Sequence, residues 1–182
     1  MAIARVLGDL TKAAPARGLP PVHLWNPPNC GEIDIVIKAN GEWLHEGSAI
    51  TRPALVRLFS TVLRRDPDGV HLVTPVEKLR ITVEDAPFVA VAVEEDGEDL
   101  VFTTNVGDRV TAGAGHMIRV ETDPETLEPR PYVHVRAGLD ALIARSVFYD
   151  LVERARDCDN GTLTVRSGGI WFPLGDAAKQ AP

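Results

Sequence analysis

The 182-residue chain has little of what usually betrays a protein's chemistry. Its two cysteines, Cys30 and Cys158, lie far apart and form no C-x-x-C pair, which excludes a zinc ribbon and a thioredoxin-type motif and predicts two reduced thiols. No apolar run approaches the length of a membrane span. The opening "MAIARVLGDL" is broken by Arg5 and by Gly8-Asp9, too early for a signal-peptide core. No basic stripe is present: 19 Lys and Arg face 26 Asp and Glu, the net charge is −7, and Asp66 and Asp68 closely follow the pair Arg64-Arg65. Such a surface repels phosphate backbones. These absences predict a cytoplasmic protein with neither nucleic acid nor membrane as a partner.

Catalytic signatures are also missing. There is no G-x-S-x-G, no Walker loop and no strand-linked G-x-G-x-x-G; "TAGAGH" leads into no helix, and Ser48 and Ser146 lack a recognisable base. The five histidines, His23, His45, His71, His116 and His134, have no metal-ligand spacing. Glu84 and Asp85 are neighbours in sequence, and neighbours on a strand point to opposite faces, so they do not make an acid/base pair. No catalytic residue, metal or cofactor is expected.

What is present is an ordinary globular balance, 45% apolar and 25% charged, in a chain long enough to bury roughly 70% of its unfolded surface. Ile3, Val6, Leu7 and Leu10 give one face of a short first helix. "KAAPARGLPPVHLWNPPNCG" is a proline-rich extended connection pinned by Leu24 and Trp25. In "EIDIVIKANGEW", Ile33, Ile35 and Ile37 alternate with Asp34, Val36 and Lys38 up to Asn40-Gly41, predicting a strand and a tight hairpin. "GSAITRPALVRLFSTVLRRDPDG" predicts a long helix, capped by Thr51, opened by Pro53, carrying Leu55, Leu58, Phe59 and Val62 on one stripe, and stopped by Pro67-Asp68-Gly69. Val70 to Val73 return as a strand.

In "HLVTPVEKLRITVEDAPFVAV", Thr74-Pro75 stops that strand, Glu77 and Lys78 fall in a connection, and "EDAP" turns with Asp85 bonding nearby backbone N–H groups. From Lys78 to Val110 the alternation predicts an antiparallel meander. Loops at "TAGAGH" and "TDPETLEPRP" flank a short strand from Met117 to Val120. A second helix-turn-strand run, "IARSVFYDLVERARDCDNGTLTV", aligns with the first: Ile50 with Ile143, Arg52 with Arg145, Leu58 with Leu151, Gly69 with Gly161. Asn40-Gly41 and Ala137-Gly138 are the turns before each helix. Trp25, Trp43 and Trp171 read as core or interface anchors. The reading is an α+β fold of antiparallel sheets and two long helices, in two related halves, 1–76 and 77–182.

Arg52 and Arg145 open the two helices, where the macrodipole disfavours a cation by roughly 0.3–1 kcal/mol. A carboxylate from an adjoining strand, such as Glu77, Glu84 or Asp85, is the expected compensation, with an anion at the helix end as the alternative.

The strings "TPVEK" and "VEDAPF", with "IKANGEWLHEGSAITRPALVRLFS" before them and "PYVHVRAGLDALIARSVFYDLV" after, resemble the bacterial family called domain of unknown function 1285, from Trp25 through Leu174. The resemblance implies a two-part α+β fold of repeated character and a role in signal transduction, and it brings no catalytic residues with it. The expected function is a non-catalytic ligand-binding or regulatory module, its site lined by Arg52, Glu77, Lys78, Asp85, Arg136 and Arg145 where the halves meet. The ligand would be a small molecule or anion, or a protein partner. The rivals are a hydrolase-like or transferase-like enzyme pairing Glu77, Glu84 or Asp85 with a histidine, and an assembly subunit forming a homodimer.

Overall fold

Ile33, Ile35 and Ile37 all point inward from strand β1 (Asn29–Ile37), as their alternation requires. The computed structural model describes residue 8, residues 18–158 and residues 161–176; the expected first helix at Ile3, Val6, Leu7 and Leu10 lies outside them. Two compact units divide at Asp85 and Ala86.

In the first unit, β1 turns at Asn40-Gly41 into β2 (Trp43–His45), with Gly41 at φ +85° and the Asn40 side chain accepting the Glu42 N–H at 3.0 Å. A second tight turn, Glu46-Gly47, with φ +50° and +74°, leads to β3 (Ser48–Ala49). Helix α1 (Pro53–Ser60) follows, with Pro53 in its first turn as expected. Arg52 rather than Thr51 occupies the N-cap, and no side chain caps the helix. The helix is much shorter than expected. The Ser60 and Thr61 hydroxyls donate back to the carbonyls of Arg57 and Leu58 at 2.7 Å, a local alternative to helix continuation. Leu63 to Asp66 then become strand β4 (Leu63–Asp66), paired with β5 (Gly69–Val73) across Pro67-Asp68.

Thr74 Oγ1 accepts the N–H groups of Val76 and Glu77, at 3.3 and 3.1 Å, and turns β5 into β6 (Glu77–Val83). Glu77 and Lys78 therefore begin a strand rather than lie in a connection. β6 pairs with β5 and also runs parallel to β1. It belongs to the first sheet, so the division falls after Asp85 and not after residue 76. The sheet order is β3-β2-β1-β6-β5-β4. Trp43 stacks on Phe59 of the helix, ring centres 6.3 Å apart, both buried.

The second unit holds β7 (Phe88–Asp96), β8 (Asp99–Thr104), β9 (Arg109–Thr111), β10 (Ile118–Thr122), β11 (Pro129–Arg136) and β12 (Leu139–Ile143), in the order β10-β11-β12-β7-β8-β9. The β11–β12 turn is Ala137-Gly138, both residues at positive φ. Helix α2 (Arg145–Arg154) leads to a three-stranded sheet of β13 (Arg156–Asp157), β14 (Thr162–Ser167) and β15 (Ile170–Asp176). Ser167, fully buried, fastens this sheet: its Oγ donates to the Ala112 carbonyl at 2.7 Å and accepts the Leu100 N–H at 2.8 Å. Phe88, Phe102, Leu139, Ile143, Leu151 and Phe172 form the buried centre of the unit.

The fold is thus mostly β, with helices of 8 and 10 residues where two long ones were expected. Its six-stranded sheets are mixed, not wholly antiparallel: each joins two antiparallel three-stranded meanders along one central parallel pair, β1 with β6 and β12 with β7. In each, the chain runs from the centre to one edge and then from the other edge back to the centre. By that plan β1–β6 corresponds to β7–β12, and α1 stands where the 112–117 connection does, while α2 follows its sheet. The alignment of the helices reflects a shared hairpin-then-helix segment, for which Glu46-Gly47, not Asn40-Gly41, is the counterpart of Ala137-Gly138.

Candidate functional site

The sequence-named residues fall in both units and serve different tasks. Arg52 is exposed at the start of α1 and makes no ion pair among the described residues. Arg145 pairs at 3.0 Å with Glu128, from the turn before β11, and with none of Glu77, Glu84 or Asp85. The expected strand carboxylates are therefore not the partners of the helix-opening arginines. Glu84 instead clamps the first hairpin, accepting from Lys38 Nζ and from the Ala39 N–H at 3.0 Å. The Lys38 ammonium holds the Glu84 carboxyl below its usual range, and the Ala39 bond adds to the effect. Glu77 is 2% exposed at the head of β6. Arg136 reaches Asp108 with Nη1 and lays its guanidinium 4.8 Å from the centre of the Phe88 ring, joining the "VRAG", "NVGD" and "VEDAPF" strings into one structural contact.

Lys78 belongs to a network on β4, β5 and β6. Asp66 accepts two bonds from Arg64, at 2.8 and 2.9 Å, and one from Lys78 at 3.0 Å. The Arg64 fork holds the Asp66 carboxyl down at about 2, and Lys78 lies above its ordinary value because of Asp66. Arg64 Nη1 also takes the Val22 and Trp25 carbonyls, at 3.0 and 2.7 Å. This bond set ties down the proline-rich connection, half of whose expected anchor, Leu24, is 72% exposed. Beside it the imidazole of His71, 2% exposed, stands between Asp68 at 3.3 Å and Asp66 at 3.9 Å. Asp66, Asp68 and His71 are close enough to share a cation, but two cationic side chains already occupy Asp66 and oppose a third positive charge.

Asp85 lines a cavity of about 470 Å³ in the first unit, with Arg65 and Arg80 on its wall. Arg80 approaches Glu32 only to 3.8 Å, both well exposed.

A second cavity, of about 260 Å³, lies in the second unit between the β7–β8 turn, the end of α2 and the β14–β15 hairpin. Arg154, Arg156, Arg166 and Trp171 line it together with Glu95, Glu98 and Asp99. Arg154 pairs with Glu95 and Arg166 with Glu98, each at 3.0 Å. Arg156 has no carboxylate partner among the described residues, and its guanidinium stands 5.9 Å from the centre of the Trp171 ring. Trp171 is 48% exposed, so of the two roles expected of it, core or interface anchor, it does not fill the first. No sequence motif marks these arginines: Arg154 and Arg156 stand two residues apart where α2 ends and β13 begins, the β13–β14 pairing brings Arg166 of β14 beside them, and the β14–β15 hairpin sets Trp171 opposite Arg166.

The histidines do not all stand apart in space. His134 Nδ1 meets Asp140 at 2.9 Å, His116 Nδ1 meets the His134 carbonyl at 3.0 Å, and the two rings stack with centres 6.3 Å apart. Arg119 shares Asp140 at 3.2 Å and covers the Tyr132 ring at 4.3 Å.

Two family models match the chain, the N-terminal domain of domain of unknown function 1285 over residues 20–86 and its C-terminal domain over residues 87–174. The crystal structure of a DUF1285 family protein from Silicibacter pomeroyi DSS-3 is similar with a TM-score of 0.85 and 49% identity, covering 96% of each chain. A DUF1285 family protein from Shewanella baltica OS155 is similar with a TM-score of 0.54 and 27% identity over 65% of this chain and 90% of that one. No curated protein matches.

Proposed function

We propose that this chain, which belongs to the DUF1285 family through both its N-terminal and its C-terminal domain, is a non-catalytic module that binds a small ligand in its C-terminal unit. The observation that carries the reading is the cavity that Arg154, Arg156 and Arg166 line together with a half-exposed tryptophan, Trp171. An exposed aromatic face beside an arginine without a carboxylate is poor economy for stability and good equipment for binding. Of the carboxylates named for acid/base chemistry, Glu77, Glu84 and Asp85, Glu84 favours the same reading, because it is committed to Lys38 and the Ala39 N–H. A part in signal transduction, in the cytoplasm, and an origin of the two halves as copies of one unit complete the proposal. Exposed free thiols at Cys30 and Cys158 and the shared strand plan of the two sheets support the last two points.

A thermal-shift screen of the full chain against small anions and metabolites tests it: a ligand at 100 times its dissociation constant adds about 2.7 kcal/mol. A uniform absence of shifts removes the reading. One observation favours an enzyme, the His134–Asp140 pair at 2.9 Å. Among the described residues no hydroxyl or thiol hydrogen-bonds its ring to complete a nucleophile, so that reading stays second.

A further inference from the structure

The charges around the C-terminal cavity specify more than the presence of a ligand, and the ligand class they define rests on the proposal that the cavity is a binding site. Two of its three arginines are already neutralised, Arg154 by Glu95 and Arg166 by Glu98. Of the three arginines lining the cavity, Arg156 alone has no carboxylate partner among the described residues. Its distance of 5.9 Å from the Trp171 ring is looser than the 4.3 Å of Arg119 over Tyr132 and the 4.8 Å of Arg136 over Phe88. A ring stacked about 3.5 Å above the indole leaves a guanidinium 5.9 Å from the ring centre room to stand beside it rather than over it. Arg156 and Trp171 are both exposed, so a small side-chain movement turns the fork toward such a ring's edge.

We infer that the cavity takes an aromatic or heteroaromatic monocarboxylate, its ring on Trp171 and its carboxylate on the guanidinium fork of Arg156. The acidic rim of Glu95, Glu98 and Asp99 repels a polyphosphate, which excludes nucleotides as the fitting class. A cavity of about 260 Å³ lies just below the span typical of drug-sized ligands, roughly 300–1,000 Å³, and so suits one or two rings.

The test is calorimetric titration of the full chain with 2-naphthoate, its neutral analogue 2-naphthol, acetate and ADP. The expected result is that 2-naphthoate binds, while 2-naphthol and acetate each bind at least about tenfold more weakly, a difference of about 1.4 kcal/mol. Both Arg156→Gln and Trp171→Leu, checked for an unchanged circular dichroism spectrum, should remove the 2-naphthoate heat. Binding of 2-naphthoate that neither variant alters overturns the inference. Binding of ADP or acetate in preference, lost in Arg156→Gln, overturns the ligand class and leaves the cavity a binding site. Silence from all four probes overturns the class; silence from the wider thermal-shift library as well overturns the site.

Discussion

Arg64 and Asp66 meet fork to fork, Nε on Oδ1 at 2.8 Å and Nη2 on Oδ2 at 2.9 Å. The pair contributes to the acid stability of the first unit. Asp66 titrates at about 2 in the folded chain because of the Arg64 fork, against an ordinary value of 3.8. A folded value below the unfolded one gives stability that is present above the unfolded value and lost as pH falls through the folded one. The contribution is at most about 2.5 kcal/mol, given about 1.4 kcal/mol per pH unit. Glu84, lowered by Lys38, and Asp123, lowered by the Thr126 and Glu125 backbone N–H groups, act in the same direction. Urea midpoints measured from pH 5 to pH 2 should fall steadily. In Asp66→Asn the midpoint should be lower at pH 7, because Arg64 loses its carboxylate, and the fall toward pH 2 should be shallower. Equal slopes for both proteins would deny Asp66 this role.

Ser167 and Gly168 set how closely the three-stranded sheet approaches the strand that ends at Thr111. Gly168 sits at φ +55°, and a Cβ there would lie 2.8 Å from the Ala112 carbonyl oxygen and from Gly113 Cα, both backbone atoms with nowhere to move. Gly168→Ala should destabilise the protein by roughly 2–4 kcal/mol, combining backbone strain with overpacking. Ser167→Ala strands the Leu100 N–H and the Ala112 carbonyl, at about 1–3 kcal/mol. Chemical denaturation of both variants checks the order.

Phe59 is completely buried and stacks on Trp43. It is the main aromatic by which the short helix holds its sheet. Phe59→Ala should therefore lose about 3–5 kcal/mol. Leu58, which is only half-buried on the same helix, should lose clearly less on truncation. Reversal of that order in equilibrium unfolding would mean that the helix is anchored elsewhere.

Local chemistry is legible in the sequence. Asn40-Gly41 gives its hairpin, Pro53 the first turn of its helix, and Thr74-Pro75 the end of its strand, because each depends on backbone preferences within four residues. Val62 to Arg65 read as helix because Val62 continues the helical stripe, whereas the Ser60 and Thr61 hydroxyls and the hairpin partner at β5 decide for a strand. The parallel pairing of Cys30 with Lys78 and of Ile37 with Val83 has no local signature at all, so the place of β6 in the first sheet is invisible along the chain.

The sites follow the same rule. Arg136 and Asp108 are 28 residues apart, and Arg154 and Glu95 are 59 apart, so neither pair shows as a motif. Trp171 reads as a core or interface anchor, without a choice between the two, because only tertiary placement reveals which face of β15 meets solvent. An arginine facing a tryptophan across one hairpin, Arg166 and Trp171, is the available signal, and it is weak without Arg154 and Arg156 from the end of α2 and the start of β13.

The most direct test of the account is a nuclear magnetic resonance titration of nitrogen-15-labelled full chain with 2-naphthoate. Saturable shifts should centre on the Trp171 indole N–H and on the backbone of Arg154, Arg156 and Arg166, with the indole of buried Trp43 unchanged. A saturable response elsewhere that leaves Trp171 unmoved would contradict the claim that this cavity is the protein's ligand site.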